Sequence, residues 1–270
     1  MSAPSDLFDV SGKKVLVTGG ARGIGRMIAE GLLRAGAVVF ISTRKADAAD
    51  EAARSLSEFG EIHAFAADIA TEQGCRDLID AVAERTDHLD VLVNNAGATW
   101  GAPFDEFPDA AWDKVLGVNV KTPFTLAKLA RPLLEAGAAA GDAPARIINI
   151  GSIDGLAVPN YENYSYSAAK AAIHHLTRHM AANLAPSILV NAIAPGPFPT
   201  KMMKWVLDER GDAIAAANPL RRIGRPEDIT GVVTFLLSRA GSYITGTVIP
   251  VDGGLTATMS VALDPNSQEA

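Results

Sequence analysis

A chain of 270 residues, 48% hydrophobic and 20% charged, has the balance of a globular protein and can bury a sizeable core as one large domain or two small ones. The formal net charge of -7 argues against a broad basic surface for nucleic acid. With one cysteine, Cys75, an internal disulfide framework is excluded and a reducing compartment is expected.

Residues 1–10 carry no basic segment followed by an apolar stretch, so no secretory leader is expected. No apolar run approaches membrane-span length, and the expected location is the cytoplasm, without a membrane partner. Short apolar runs then alternate with helical stretches. Strands are predicted over 14–17, 37–42, 61–66, 91–93, 145–150, 188–193 and 247–251. Helices are predicted over 24–34, 46–59, 72–85, 164–183 and 227–237, the last opened by Pro226. A longer helical region, 109–135, is expected to break near Gly117 and Pro123, and 137–144 reads as an Ala/Gly-rich loop. No linker-like shift in composition divides the chain. The alternation predicts an α/β protein, a single domain over 1–270. Its core is a Rossmann-like, doubly wound parallel sheet of about seven strands with helices on both faces. Ligands are expected at the carboxyl ends of the strands. The polar tail, 262–270, is expected to fray.

Thr18-Gly19-Gly20-Ala21-Arg22-Gly23-Ile24-Gly25 joins the first strand to the first helix. Glycines let a backbone turn tightly and approach a pyrophosphate, and the new helix offers unpaired N–H groups. The spacing of Gly19, Gly23 and Gly25 differs from the standard dinucleotide fingerprint by one inserted position. Such sites often carry an acid at the end of the second strand for the ribose 2′-hydroxyl. Here that strand ends Ser42-Thr43-Arg44-Lys45. Arg44 and Lys45, with Arg22, would instead neutralise a 2′-phosphate, so the expected cofactor is NADP(H). The alternative is a set of solvated cations. Asp68 and Ile69, just past the third strand, stand where an adenine would sit.

Tyr166 and Lys170 are four residues apart within the predicted helix 164–183 and so share one face. A phenol with a pKa of about 10 transfers protons poorly at neutral pH, and a nearby ammonium is expected to lower it. Taken alone, such a pair is common and reads first as a surface tyrosine and a solvated lysine. His175 and His179 are also four apart, but no third ligand recurs nearby, and no metal is expected. Ser152 has Ile150 and Asp154 where a nucleophile elbow needs glycines, which excludes that hydrolase pattern.

Together these motifs resemble the short-chain dehydrogenase/reductase family over about residues 7–254. TGGARGIG resembles its cofactor loop, and Asn94-Asn95-Ala96-Gly97 the segment that lines the cofactor site. The resemblance implies that Asn119 holds a water in a proton relay and that Ser152, Tyr166 and Lys170 are catalytic. It implies that Lys170 bonds the nicotinamide ribose and that Pro195-Gly196, with Thr200, binds the carboxamide. Val251-Asp252-Gly253-Gly254 resembles the family's last strand end. More narrowly, Ser42-Thr43-Arg44-Lys45, Ala98-Thr99-Trp100-Gly101 and Pro195-Gly196-Pro197-Phe198-Pro199 are similar to the 3-oxoacyl-carrier-protein reductases of the rhamnolipid type. That implies a 3-oxoacyl thioester or related ketone as substrate, in fatty acid metabolism. Other secondary alcohols or ketones (sugar acid, polyol, steroid, xenobiotic) form the alternative, and a non-catalytic NADP sensor the remote one.

Residues 201–207 form an amphipathic stretch, read as part of a substrate lid over about 197–222; an ordinary packing helix is the alternative. Met202, Met203 and Trp205 would line it, since methionines adapt to flexible acyl chains. Trp100, Asp154, Leu156 and Phe198 are further candidate walls. Lys201, Lys204, Arg210, Arg221, Arg222 and Arg225 read as a solvated face, with carrier phosphates as the alternative. Ala168 and Ala172 suit close packing between subunits or against the sheet. The resemblance implies a homo-oligomer, tetramer or dimer.

Overall fold

The structure, a computed structural model, describes residues 4–141, 143–200 and 203–258. A short α1 (Pro4–Leu7) precedes β1 (Lys14–Thr18), α2 (Gly23–Arg34), β2 (Val38–Thr43), α3 (Ala46–Leu56), β3 (Ile62–Ala66), α4 (Glu72–Ala83) and β4 (Val91–Asn94). The second half runs α5 (Asp109–Leu116), α6 (Thr122–Ala140), β5 (Ala145–Ile150), α7 (Tyr164–Leu184), β6 (Ile188–Pro195), α8 (Lys204–Ala217), α9 (Pro226–Leu237) and β7 (Val248–Val251). The seven strands form one sheet in the order β3-β2-β1-β4-β5-β6-β7, and every pairing is parallel.

Side chains of a strand alternate between faces, and in a sheet covered on both sides each face must be apolar. Val15 and Val17 of β1 join Ile28 and Leu32 of α2 and Ile229 and Val233 of α9 in one core. Leu16, between them, joins Leu78 of α4, Leu126 of α6 and Met180 of α7 in the other. This is why the strands read as continuous apolar runs. Among the described residues no helix is long and apolar enough to cross a membrane.

Two sequence expectations need correction. The 109–135 region does not break: α5 passes through a π-helical turn (Gly117–Lys121) into α6. Pro123 is the second residue of α6, directly after the π-helical turn, and the helix runs on through it. Nor is 137–140 a loop, because α6 continues to Ala140. Gly137 is buried there, with the Leu89 carbonyl oxygen where a Cβ would stand; the glycine serves close packing of helix on strand end. Met202 and the tail 262–270 lie outside the described residues, as does the side chain of Trp205.

Since the Leu89 carbonyl is backbone and cannot swing aside, Gly137→Ala should destabilise the fold by about 1–3 kcal/mol. A thermal melt should show this as a Tm lowered by about 2–4 °C per kcal/mol. An unchanged Tm would mean that α6 can lift off β4 without cost.

Candidate active site

Parallel pairing puts the ends of β1, β4, β5 and β6 at one edge of the sheet, and the candidate residues gather there. After Thr18 the chain turns through Gly19 (φ +66) and Gly23 (φ +55) into α2, in the left-handed region that glycine enters without penalty. Arg22, at the N-cap, offers no side-chain bond to the first turn, so the N–H groups there remain open to an anion. Arg22, Arg44 and Lys45 are exposed, and Thr43 is half-buried. No acid stands at the end of β2. These groups fit a dinucleotide carrying an extra phosphate.

Asn95 braces this loop from behind. Its Nδ2 donates to the Thr18 carbonyl at 2.8 Å, and the Asn95 and Ala96 amides donate to Thr18 Oγ1 at 3.0 and 3.1 Å. Gly25 packs so closely that a Cβ would strike Asn95 Nδ2. Gly97 plays the same part for Asn119, whose Oδ1 would lie 2.7 Å from a Cβ there. Asn119 Nδ2 donates to the carbonyls of Ala98 (2.7 Å) and Val115 (2.9 Å), and the Ala98 amide returns a bond to Oδ1 at 3.3 Å. The amides of Asn95 and Asn119 are therefore spent on backbone. Thr200 lies against the glycine loop, its Cγ2 3.4 Å from the Cβ position of Gly23. Gly196 donates its amide to the Val251 carbonyl at 3.0 Å, joining the Pro195-Gly196 turn to β7. Asp68 is exposed, whereas the Ile69 side chain is buried in the core beneath it.

Ser152 follows β5 and is buried, its Oγ accepting the Asp154 amide at 3.1 Å. One turn apart on α7, Tyr166 and Lys170 face it. Lys170 Nζ stands 5.4 Å from the centre of the Tyr166 ring and donates to the Ile150 carbonyl at 2.7 Å. Gly155 allows the approach, since its Cβ would lie 2.5 Å from the Lys170 carbonyl carbon. Burial pushes the Tyr166 phenol up to about 12, the Asp154 carboxylate adding to the rise while a Ser152 hydrogen bond opposes it. Burial pushes Lys170 down to about 8 against the opposing pull of Asp154. The phenol is thus raised where the sequence predicts that Lys170 lowers it: burial dominates, and the Lys170 ammonium is turned toward the Ile150 carbonyl.

Among the candidate walls, Trp100 and Leu156 are exposed, and Lys114 Nζ lies 5.5 Å over the Trp100 ring. Met203 is half-buried and precedes α8. Asp154 stands beside the catalytic candidates, with Oδ2 accepting from Tyr161 Oη at 2.8 Å and Asn163 Nδ2 at 2.9 Å. Phe198 is a correction. It is 2% exposed, belongs to the core with Ile193 and Ile229, and lines a separate cavity of about 470 Å³ with Asn218 and Asp252. An apolar ring two residues past a glycine turn can face either the cleft or the core, and here Gly224 opens the space beneath it.

Other groups escaped the sequence reading. Asn94 Nδ2 donates to Asn149 Oδ1 (2.9 Å), Asn149 Nδ2 to Thr177 Oγ1 (2.9 Å), and Thr177 Oγ1 to the Ile173 carbonyl (2.8 Å). This buried chain ties β4 and β5 to α7. Only the polar Asn149 inside an apolar strand could have signalled it. Phe104 and Phe107 meet Tyr164 edge-on, each with ring centres 5.5 Å apart. His174 is 2% exposed, and among the described residues neither ring nitrogen completes a hydrogen bond. Gly151 is pressed against it, leaving no room for a Cβ.

Over residues 19–256 the chain matches the family described as Enoyl-(Acyl carrier protein) reductase. It is 44% identical to the rhamnolipids biosynthesis 3-oxoacyl-[acyl-carrier-protein] reductase of Pseudomonas aeruginosa, over 92% of this chain and 97% of that one. It is 35% identical to the gluconate 5-dehydrogenase of Gluconobacter oxydans, over 96% of this chain and 100% of that one. Among solved structures, the Pseudomonas aeruginosa RhlG/NADP active-site complex superposes with a TM-score of 0.89 at 44% identity, covering 93% of this chain and 99% of that one.

Burial pushes the His174 imidazole down to about 4 from an ordinary 6.5, with the charges of Lys170 and Arg178 adding and the Gly155 backbone opposing. In that window the unfolded chain takes up a proton that the folded one refuses, so stability should fall as pH drops from about 6.5 toward about 4. His174→Leu removes this titration, and thermal melts across the window should show a shallower slope than for the native protein. Parallel slopes would mean that the buried ring titrates normally.

Proposed function

The chain belongs to the short-chain dehydrogenase/reductase family, and from that premise we propose that it is an NADP(H)-dependent carbonyl reductase forming a secondary alcohol, with a 3-oxoacyl thioester as the leading substrate. The observation that carries the reading is geometric: Tyr166 and Lys170 stand one turn apart on α7, with Lys170 Nζ 5.4 Å from the centre of the Tyr166 ring, beside the buried Ser152. A protonated phenol held there is placed to give up its proton in a reduction. Bound NADPH supplies the hydride. Gly19, Arg22, Gly23, Ile24, Gly25, Thr43, Arg44, Lys45, Asp68, Ile69, Asn95, Ala96, Gly97, Pro195, Gly196 and Thr200 would form its site. Ser152 hydrogen-bonds the substrate carbonyl and Tyr166 gives its proton to the developing alkoxide. The Lys170 charge then stabilises the phenolate and holds the ribose. The Asn119 side chain being occupied, its main chain in the π-helical turn holds the water that returns the proton.

Trp100, Leu156, Met202, Met203 and Trp205 would border the acyl group, with 197–222 as a lid. The whole chain, 1–270, works as one domain in the cytoplasm, as a homodimer or homotetramer, in fatty acid metabolism. The similarity to gluconate 5-dehydrogenase along its whole length favours a second reading, a sugar-acid oxidoreductase using the same residues. A cofactor sensor would have no use for the assembled Ser152, Tyr166 and Lys170.

NADPH oxidation should be followed with acetoacetyl-coenzyme A and with 5-ketogluconate. Faster turnover of the thioester supports the leading reading, and the reverse moves the chain to the second. Tyr166→Phe should lower kcat by about 10²–10⁴-fold while NADPH still binds by fluorescence; near-native turnover would refute the role. Because Lys170 loses its proton near pH 8, kcat/KM should decline above that pH. Arg22→Ala and Arg44→Ala should each raise the KM for NADPH by roughly 10–100-fold and leave NADH use unchanged, since each removes a charge-assisted bond to the 2′-phosphate.

A further inference from the structure

Asp154 sits on the 3-10 turn Ile153–Gly155, directly after Ser152. Its Oδ2 is pinned by two neutral donors, Tyr161 Oη at 2.8 Å and Asn163 Nδ2 at 2.9 Å. Asn163 is itself buried and held by Ser167 Oγ at 2.7 Å and by the start of α7, where the Tyr166 amide bonds its carbonyl at 2.8 Å. Among the described residues no cation forms an ion pair with Asp154, and the Lys170 ammonium is directed to the Ile150 carbonyl. The carboxylate is therefore fixed in place without being neutralised. Its field reaches the reacting groups, because both Tyr166 and Lys170 are shifted by it. Neutral donors orient a carboxylate without supplying a counter-charge, and this one is half-buried.

We propose that Asp154 is a specificity-determining residue that turns away substrates carrying an anion next to the reacting carbonyl and admits neutral ones such as esters and thioesters. This deepens the reductase reading and rests on it. It separates substrates by one charge close to the carbonyl: a keto acid with its carboxylate near the ketone brings an anion to Asp154, whereas the reacting end of a 3-oxoacyl thioester is uncharged. Tyr161 and Asn163 are positioning residues for that charge.

The test is a matched pair sharing one ketone, ethyl acetoacetate and acetoacetate, reduced with NADPH by native enzyme and by Asp154→Asn. The asparagine keeps an oxygen for Tyr161 and Asn163, so the loop is retained while the charge is lost. The ester-to-acid ratio of kcat/KM should fall by roughly tenfold in Asp154→Asn, mainly through KM for the acid, as befits a partly screened like-charge contact. In the native enzyme alone, raising ionic strength should narrow the ratio. A second variant, Asp154→Ala, should shift the ratio equally even if it lowers both rates by loosening the loop. A ratio that is unchanged in both variants overturns the filter and leaves the reductase reading standing, with Asp154 reduced to a loop brace. Turnover of neither substrate by native enzyme that binds NADPH overturns both.

Discussion

The parallel pairing of β1, β4, β5 and β6 carries Thr18, Asn94, Ile150 and Pro195 to one edge of the sheet, and the polar groups argued to do chemistry are anchored close to that edge. With both faces of the sheet buried under helices, the loops at the carboxyl ends are where polar side chains can meet a ligand without disrupting a core. Asn95 and Thr18 lock the first of these loops to the fourth strand. The buried chain of Asn94, Asn149 and Thr177 then ties that strand, through β5, to the helix bearing Tyr166 and Lys170. The glycine loop and α7 are thus linked by hydrogen bonds through β4 and β5, and a shift in either would be felt by the other.

Electrostatics at the site is governed by burial more than by pairing. Tyr166 and Lys170 are each pushed toward their neutral forms by desolvation. Asp154 reinforces this for the phenol and resists it for the ammonium. The result is a phenol pushed up to about 12 and a lysine pushed down to about 8. His174, one turn further along α7, is neutral for the same reason. It fills the space under Gly151 as an uncharged ring.

Glycines mark where elements approach closely rather than where the chain is loose. Gly97 lets Asn119 in, Gly155 lets the Ser152 turn lie on α7, and Gly137 lets α6 close on Leu89, just before β4. Without the partner in view, Gly137 reads as a loop residue. Gly117 and Pro123 likewise read as breakers, yet packing carries α5 into α6 through a π-helical turn.

Local pattern by itself determined the alternation of strands and helices, the glycine turn after β1, the absence of an acid at the end of β2 and the pairing of Tyr166 with Lys170. Each depends on periodicity or spacing within a few residues, which the order of amino acids records directly. Tertiary structure alone decided what surrounds those residues. It set the direction of the Tyr166 shift, since desolvation depends on neighbours from other elements. It turned Phe198 into the core, spent the amides of Asn95 and Asn119 on backbone, and brought Tyr161 and Asn163 to Asp154. These are contacts between segments remote in sequence or loops of irregular geometry, and no spacing rule encodes which way such side chains turn.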